Sequence, residues 1–261
     1  MTCDEVAVTR KGAVTTIRLN RPDQLNAITP EMHHALQAAL DDFAADNDQQ
    51  ICVFTGTGRA FCAGSDLKRA RETRAAGKTL EMPRSGYAGL IQRFDLDKPL
   101  IAAVNGLAVG GGFEIALCCD LIVASEAARF GLPEPHRGLV AIAGGPHRLV
   151  QAIGSKRAMA IALTGELIDA AAGVTLGFVN EVVAADRLEE AVERWTAKIL
   201  RGGPHAVRAT KALVRHATEI VVAREALSGQ ESLPAMRAWR ASGEPSEGSR
   251  AFGDKRQPSW Q

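Results

Sequence analysis

Apolar and polar positions along this chain alternate between strand-like and helix-like spacing. Val14-Thr15-Thr16-Ile17-Arg18-Leu19 is rich in β-branched residues and stops at the turn-forming cluster Asn20-Arg21-Pro22-Asp23, which predicts a strand and a loop. Thr29-Pro30 then offers an N-cap and a first-turn proline, after which Met32, Leu36, Leu40 and Phe43 recur at helical spacing. That helix is expected to lay its apolar face on the sheet. The pattern repeats: strand 51–54, loop 55–65, a polar helical stretch, strand 100–104, a glycine-rich turn and helix 114–119. Strand 121–124, loop 130–138 and helical segments around Leu149 and Ala158 follow. Short apolar strands alternating with helices indicate an α/β fold. From Arg187 onward the chain reads as helix almost throughout, including 188–200 and 204–227, a helical C-terminal appendage. Residues 69–84, rich in Arg, Lys, Glu and Gly, read as a solvated helix and loop.

A length of 261 residues allows one large core domain plus that appendage. The formal charge of +1 gives no excess for holding a polyanion, so nucleic acid is not an expected partner. Cys3, Cys52, Cys62, Cys118 and Cys119 are too irregular for a disulfide framework, and the first residues carry no secretion pattern. A reducing cytoplasm is the expected compartment. The charge-poor stretch 99–119 contains Asn105, several glycines and Glu114, which fit a buried strand, turn and helix rather than a membrane span.

Two small-residue loops hold the candidate chemistry. Gly106 to Gly112 follows a buried strand and opens a helix, where unpaired N–H groups carry partial positive charge. Its spacing matches neither GxGxxG nor GxxxxGK[ST], which speaks against those nucleotide motifs. Gly58 to Lys68 is a second such loop. Two loops at the ends of neighbouring strands can each aim a backbone N–H at one oxygen, and each donor of such an oxyanion hole is worth about 3 to 4 kcal/mol in the transition state. Taken singly, each loop also fits an ordinary strand-to-helix connection. Ser65 is no nucleophile elbow, because Ala63 stands where GxSxG requires glycine. Glu114, in the first turn of its helix, and Glu134, held between Pro133 and Pro135 in an expected extended backbone, make the minimum pair for acid–base work. The six histidines show no metal-ligand spacing, and His136 and His147 are read as structural.

In combination these residues resemble the crotonase, or enoyl-CoA hydratase/isomerase, superfamily, nearest to its enoyl-CoA hydratases. Asn20-Arg21-Pro22 to Asn26-Ala27, Ala63-Gly64-Ser65-Asp66-Leu67, the turn from Asn105-Gly106 to Glu114, Cys119-Asp120 and Phe130-Gly131-Leu132-Pro133-Glu134 stand in family order. Leu163-Thr164-Gly165 and Gly177-Phe178-Val179-Asn180-Glu181-Val182-Val183 continue it. The resemblance implies a ββα spiral of two roughly perpendicular sheets over residues 1–190, and a helical region, 191–261, that forms homotrimers commonly paired into hexamers. It implies an oxyanion hole from the N–H groups of Ala63 and Gly111, with Glu114 as base and Glu134 as proton donor to Cα. It places the coenzyme A of an acyl-CoA substrate against Ala63, Gly64, Ser65, Asp66, Leu67, Lys68 and Gly110, with the adenine along 63–65. Phe252 and Lys255 resemble a pair whose lysine reaches the nucleotide phosphate from a neighbouring subunit. No metal or redox cofactor is implied; coenzyme A belongs to the substrate. Where many members have Pro-Gly-Ala-Gly-Gly-Thr, this chain has Val140-Ala141-Ile142-Ala143-Gly144-Gly145-Pro146-His147, which leaves the acyl pocket open. Arg69, Arg71, Arg74 and Arg84 read as surface charges, with an acidic acyl tail as their alternative partner. Hydration of a 2-enoyl-CoA is the leading expectation; a family isomerase or dehydratase and a non-catalytic acyl-CoA-binding subunit are the alternatives, and the fold alone leaves a decarboxylase or thioester hydrolase open.

Overall fold

The structure, a computed structural model, describes residues 4–77, 79, 81–218 and 234–258. Strands β1 (Val6–Lys11) and β2 (Val14–Leu19) pair antiparallel across Gly12, whose φ of +57° suits glycine at the turn. Helix α1 (Pro30–Ala45) starts as its sequence dictates: the Met32 N–H donates to Thr29 Oγ1 at 3.2 Å, and Met32, Leu36, Leu40 and Phe43 are buried. Three strand–strand–helix repeats follow. The first is β3 (Ile51–Gly56), β4 (Ala60–Cys62) and α2 (Leu67–Ala75); the second is β5 (Leu100–Val104), β6 (Leu107–Val109) and α3 (Gly111–Cys118). The third is β7 (Leu121–Ser125), β8 (Arg129–Gly131), a 3-10 turn over Glu134–Arg137 and α4 (Gly145–Ile153).

With β9 (Ile168–Asp169) and β10 (Glu181–Val183) added, the first strand of each repeat joins a six-stranded sheet, ordered β1-β2-β3-β5-β7-β10, and the second joins a four-stranded sheet, β4-β6-β8-β9. Strands β9 and β10 close the two sheets around α5 (Ser155–Thr164) and α6 (Ala170–Leu176). Each turn of the chain therefore advances one strand in both sheets, which is the ββα spiral expected from the family resemblance.

Residues 51–54 of β3 and all of β5 read as unbroken apolar runs because both faces of the large sheet are covered. Cys52, Phe54, Leu100 and Ala102 point into the main core, while Ile51, Val53, Ile101 and Ala103 pack under α7 (Leu188–Leu200) with Leu188, Ala191 and Val192. The expected division between residues 190 and 191 thus falls inside a helix that seals the sheet, and the core continues through α7. Beyond it lie α8 (Pro204–Thr218), α9 (Pro234–Ala241) and α10 (Glu244–Gly253). The expected helix 204–227 is observed as far as Thr218; its remaining residues, 219–227, lie outside the described ones.

Three local expectations are corrected. The loop 55–65 contains β4, the loop 130–138 contains the end of β8 and the 3-10 turn, and the helix expected from Glu114 begins at Gly111. Among the described residues, no helix is long and apolar enough to cross a membrane. Among the described residues, Cys52, Cys62, Cys118 and Cys119 form no disulfide, and Cys3 lies outside the described residues.

Candidate active site

Strands β4 and β6 pair in parallel, so the loops that leave their C-terminal ends emerge on the same side of the small sheet. The Ile28 N–H donates to Gly64 O at 2.8 Å and the Asp66 N–H to Ile28 O at 2.9 Å. Gly64 O and Asp66 N–H thus face Ile28, and the Ser65 N–H between them faces the other way, without a protein acceptor among the described residues. Ala63 does not fill the role expected of it: its N–H donates to Leu25 O at 3.0 Å, so that donor is already spent. The free amide of this loop belongs to Ser65.

The opposite wall is the start of α3. Gly110 takes φ +55° and ψ −130°, a conformation open to glycine, and its N–H donates to Gly131 O at 2.9 Å. Gly111 follows as the first helical residue, with no intrahelical partner for its N–H. The two walls touch: a Cβ on Gly64 would lie 3.1 Å from Gly111 N, and a Cβ on Gly112 would lie 2.7 Å from the carbonyl carbon of Cys62. Glycines at 64, 111 and 112 therefore let the two segments that carry the unpaired Ser65 and Gly111 amides pack in contact.

Glu114, on the first turn of α3, is buried, and its Oε1 accepts from the Gly145 N–H at 2.8 Å. Burial and the charge of Glu134 push Glu114 up to about 8. Glu134 opens its 3-10 turn instead of the extended backbone expected before Pro135. Its carboxylate lies over the start of α3, since a Cβ on Gly110 would stand 2.9 Å from Glu134 Oε1. Burial pushes Glu134 up to about 7, and its Oε2 is a buried acceptor that no described protein group satisfies. Both carboxyls have raised pKa values; Glu134 lies against Gly110 with one oxygen lacking a described partner, and Glu114 is turned to Gly145.

The remaining expected contacts divide. Asp66 is engaged locally: its Oδ2 accepts from Arg21 at 2.9 Å, and its Oδ1 caps α2 by accepting from the Arg69 N–H at 2.9 Å. Leu67 is half-buried and Lys68 exposed at the start of α2. Phe252 lies under Arg137 of its own chain, 4.3 Å from the guanidinium carbon to the ring centre, and α10 packs on the turn that bears Glu134. Lys255 is exposed just past α10. Arg84 pairs with Asp41 at 2.6 Å and Arg69 with Glu31 at 3.6 Å, while Arg71 lies against Gly253. The Arg74 side chain is outside what is described. His147 is half-buried on α4 and His136 exposed on the Glu134 turn.

Two contributors were not anticipated from sequence. Gly145 orients Glu114 from the segment that departs from the family pattern, and a Cβ there would crowd Glu114 Cγ at 2.9 Å. Tyr87 stands beside Gly111 and accepts a hydrogen bond from Ser65 Oγ at 3.2 Å. The signals were present: a glycine pair at a helix start, and a lone tyrosine between Gly86 and Gly89.

A model of the enoyl-CoA hydratase/isomerase family matches residues 9–261. The mevalonyl-coenzyme A hydratase of Aspergillus fumigatus is 42% identical over 252 residues, covering 95% of this chain and 91% of that protein. The 2,3-dehydroadipyl-CoA hydratase of Escherichia coli is 37% identical over 256 residues, covering 98% of each. The crystal structure of a carnitinyl-CoA hydratase from Mycobacterium avium superposes with a TM-score of 0.88 at 38% identity, covering 100% of this chain and 99% of that one.

Proposed function

Because the chain belongs to the enoyl-CoA hydratase/isomerase family, we propose that it is an acyl-CoA hydratase that reversibly adds water across the 2,3 double bond of a 2-enoyl-CoA. The observation that supports this reading is a pair of carboxyls with raised pKa values, buried Glu114 on the first turn of α3 and half-buried Glu134 against Gly110 at the start of that helix. The thioester oxygen sits between Ser65 N–H and Gly111 N–H, and the double bond lies beside Glu114 and Glu134. Water attacks the β-carbon as Glu114 takes its proton. The alkene electrons move onto the thioester oxygen, where the amides stabilise the enolate. The enolate then collapses as Glu134 gives its proton to Cα. No electrons leave the substrate, so the reaction calls for no redox carrier; coenzyme A arrives with the acyl group.

The pair must hold one proton in total. With that proton on Glu134 the site is set for hydration, and with it on Glu114 for dehydration, so one protonation state serves both directions. In the free site the proton favours Glu114, the group pushed up to about 8.

The relatives' named substrates differ, so the acyl group is a matter for a substrate panel. Crotonyl-CoA and 2,3-dehydroadipyl-CoA, followed by loss of conjugated enoyl-thioester absorbance, are expected to identify one that is hydrated to the 3-hydroxyacyl-CoA. E134Q is expected to remove that turnover while leaving the fold intact. Binding of these esters by the wild type without turnover would favour the non-catalytic reading, and a shifted double bond without water gain would favour the isomerase. The same reading carries a homotrimer or homohexamer in the cytoplasm, which light scattering of the purified protein checks for assembly.

A further inference from the structure

Tyr87 is the sole tyrosine of the chain, and the acid–base scheme gives it no part. It lies buried in a 3-10 turn, Tyr87–Gly89, whose backbone is unusual. Gly86, Ala88 and Gly89 have φ of +72°, +54° and +60°, and Ala88 has no glycine's licence for that region. Such a backbone persists only where its surroundings fix it, and here they do. The Ala88 N–H donates to His33 Nδ1 at 2.9 Å, the Ser85 N–H donates to Gln37 Oε1 at 3.0 Å, and a Cβ on Gly89 would stand 2.7 Å from Gln37 Cβ. The His33 ring meets the Tyr87 ring edge-on at 4.7 Å. All of these anchors run to α1.

The side chain so aimed touches both walls of the site. Its ring edge fills the space beside Gly111, where a Cβ would lie 2.7 Å from Cε1, and its hydroxyl accepts from Ser65 Oγ at 3.2 Å. Ser65 and Gly111 are the residues of these walls whose amides have no protein acceptor among the described residues. Burial holds the phenol proton well above its ordinary range, so the hydroxyl stays neutral in this contact.

We propose that Tyr87 is a positioning residue of the oxyanion hole: seated on Gly111 and hydrogen-bonded to Ser65, it fixes the spacing of the two amides and so the polarisation of the bound thioester. The inference rests on the reading of these amides as an oxyanion hole, and its test separates the two. Cinnamoyl-CoA is bound to the wild type, Y87F, S65A and the double variant, and the red shift of its absorbance on binding reports carbonyl polarisation. Hydration kcat and KM and the thermal midpoint are measured in parallel. Y87F keeps the ring, so the midpoint is expected to hold, while the red shift shrinks and kcat falls about tenfold with KM changing less. S65A is expected to match Y87F, and the double variant to be no worse than either single one. A wild-type red shift and kcat in Y87F, or effects that multiply in the double variant, would overturn the proposal. A wild type that binds the ester without any red shift would remove the hole itself and the inference with it. A red shift without hydration of any enoyl-CoA would refute the hydratase and leave Tyr87's role standing.

Discussion

Replacing Gly112 by alanine sets two physical effects against each other. On helix propensity alone the change favours α3 by about 1 kcal/mol. The packing points the other way: the new Cβ would stand 2.7 Å from the Cys62 carbonyl carbon, 2.8 Å from Cys62 Cβ, and closer still to the Cys62 oxygen. Carbon atoms rest at about 3.5 to 4 Å, so α3 and β4 must separate by about 1 Å. Overpacking of this kind costs about 1 to 3 kcal/mol, which outweighs the propensity gain. The displaced parts are the two walls, because Cys62 leads directly into Ala63-Gly64-Ser65 and Gly112 adjoins Gly111. A misplacement of about 1 Å at reacting groups costs on the order of a hundredfold in rate. G112A is therefore expected to fold with a thermal midpoint a few degrees lower, and to lose about a hundredfold in kcat for enoyl-CoA hydration. Wild-type kcat together with an unchanged or raised midpoint would refute the claim that the closeness of these walls sets the rate.

Other expectations follow from the ionisable groups whose pKa values are shifted by desolvation. Glu114 and Glu134, pushed up to about 8 and about 7, share one proton between those values, so kcat/KM for hydration is expected to peak there and fall on both sides; a flat profile from mildly acidic to alkaline pH would count against the pair. The folded protein also keeps a proton on Glu114 that the unfolded chain, at its ordinary 4.5, has released, so this group's share of stability is lost as pH rises from about 4.5 to about 8. E114Q removes that loss, and at alkaline pH it is expected to be more stable than the wild type by about 2 to 4 kcal/mol, even allowing for an unsatisfied amide donor. Chemical denaturation at alkaline pH checks this, and equal or lower stability would contradict it. His33 has the opposite sense: burial lowers it from 6.5 to about 4, so the unfolded chain takes up its proton first and stability falls as pH drops through that window. H33Q is expected to lack this share, up to about 3 kcal/mol, of the acid sensitivity seen in denaturation midpoints; an unaltered pH dependence would argue that His33 is already charged.

Much of the fold was legible because local and tertiary signals agreed. Thr29-Pro30 and the apolar stripe of α1 name a capped helix, and the turn cluster after Leu19 ends β2 where the sequence says it should. The strands that aim the active loops were not legible, since Ala60–Cys62 and Leu107–Val109 are too short to show a period and are bounded by small residues. Their partners lie far along the chain, and only the closed spiral brings them together. Glu114's place on a first helical turn was readable, but the backbone of Glu134 was not, because its flanking prolines suggested an extended stretch where a 3-10 turn forms. The choice of amide was not. Whether Ala63 or Ser65 offers a free N–H depends on Leu25 and Ile28, which reach this loop through a distant turn. Tyr87 was hidden for a related reason: its role comes from Gln37 and His33 on α1, which hold a left-handed turn that no spacing rule announces.

In the proposed mechanism, one substrate oxygen is held by the amides of Ser65 and Gly111 while both carboxyl groups face the double bond. A crystal structure of E134Q with a bound 2-enoyl-CoA tests it most directly. The thioester oxygen is expected within about 3 Å of Ser65 N and Gly111 N, with Cα beside residue 134 and Cβ beside Glu114. An oxygen bound away from these amides, or an acyl chain whose double bond points away from Glu114, would contradict it.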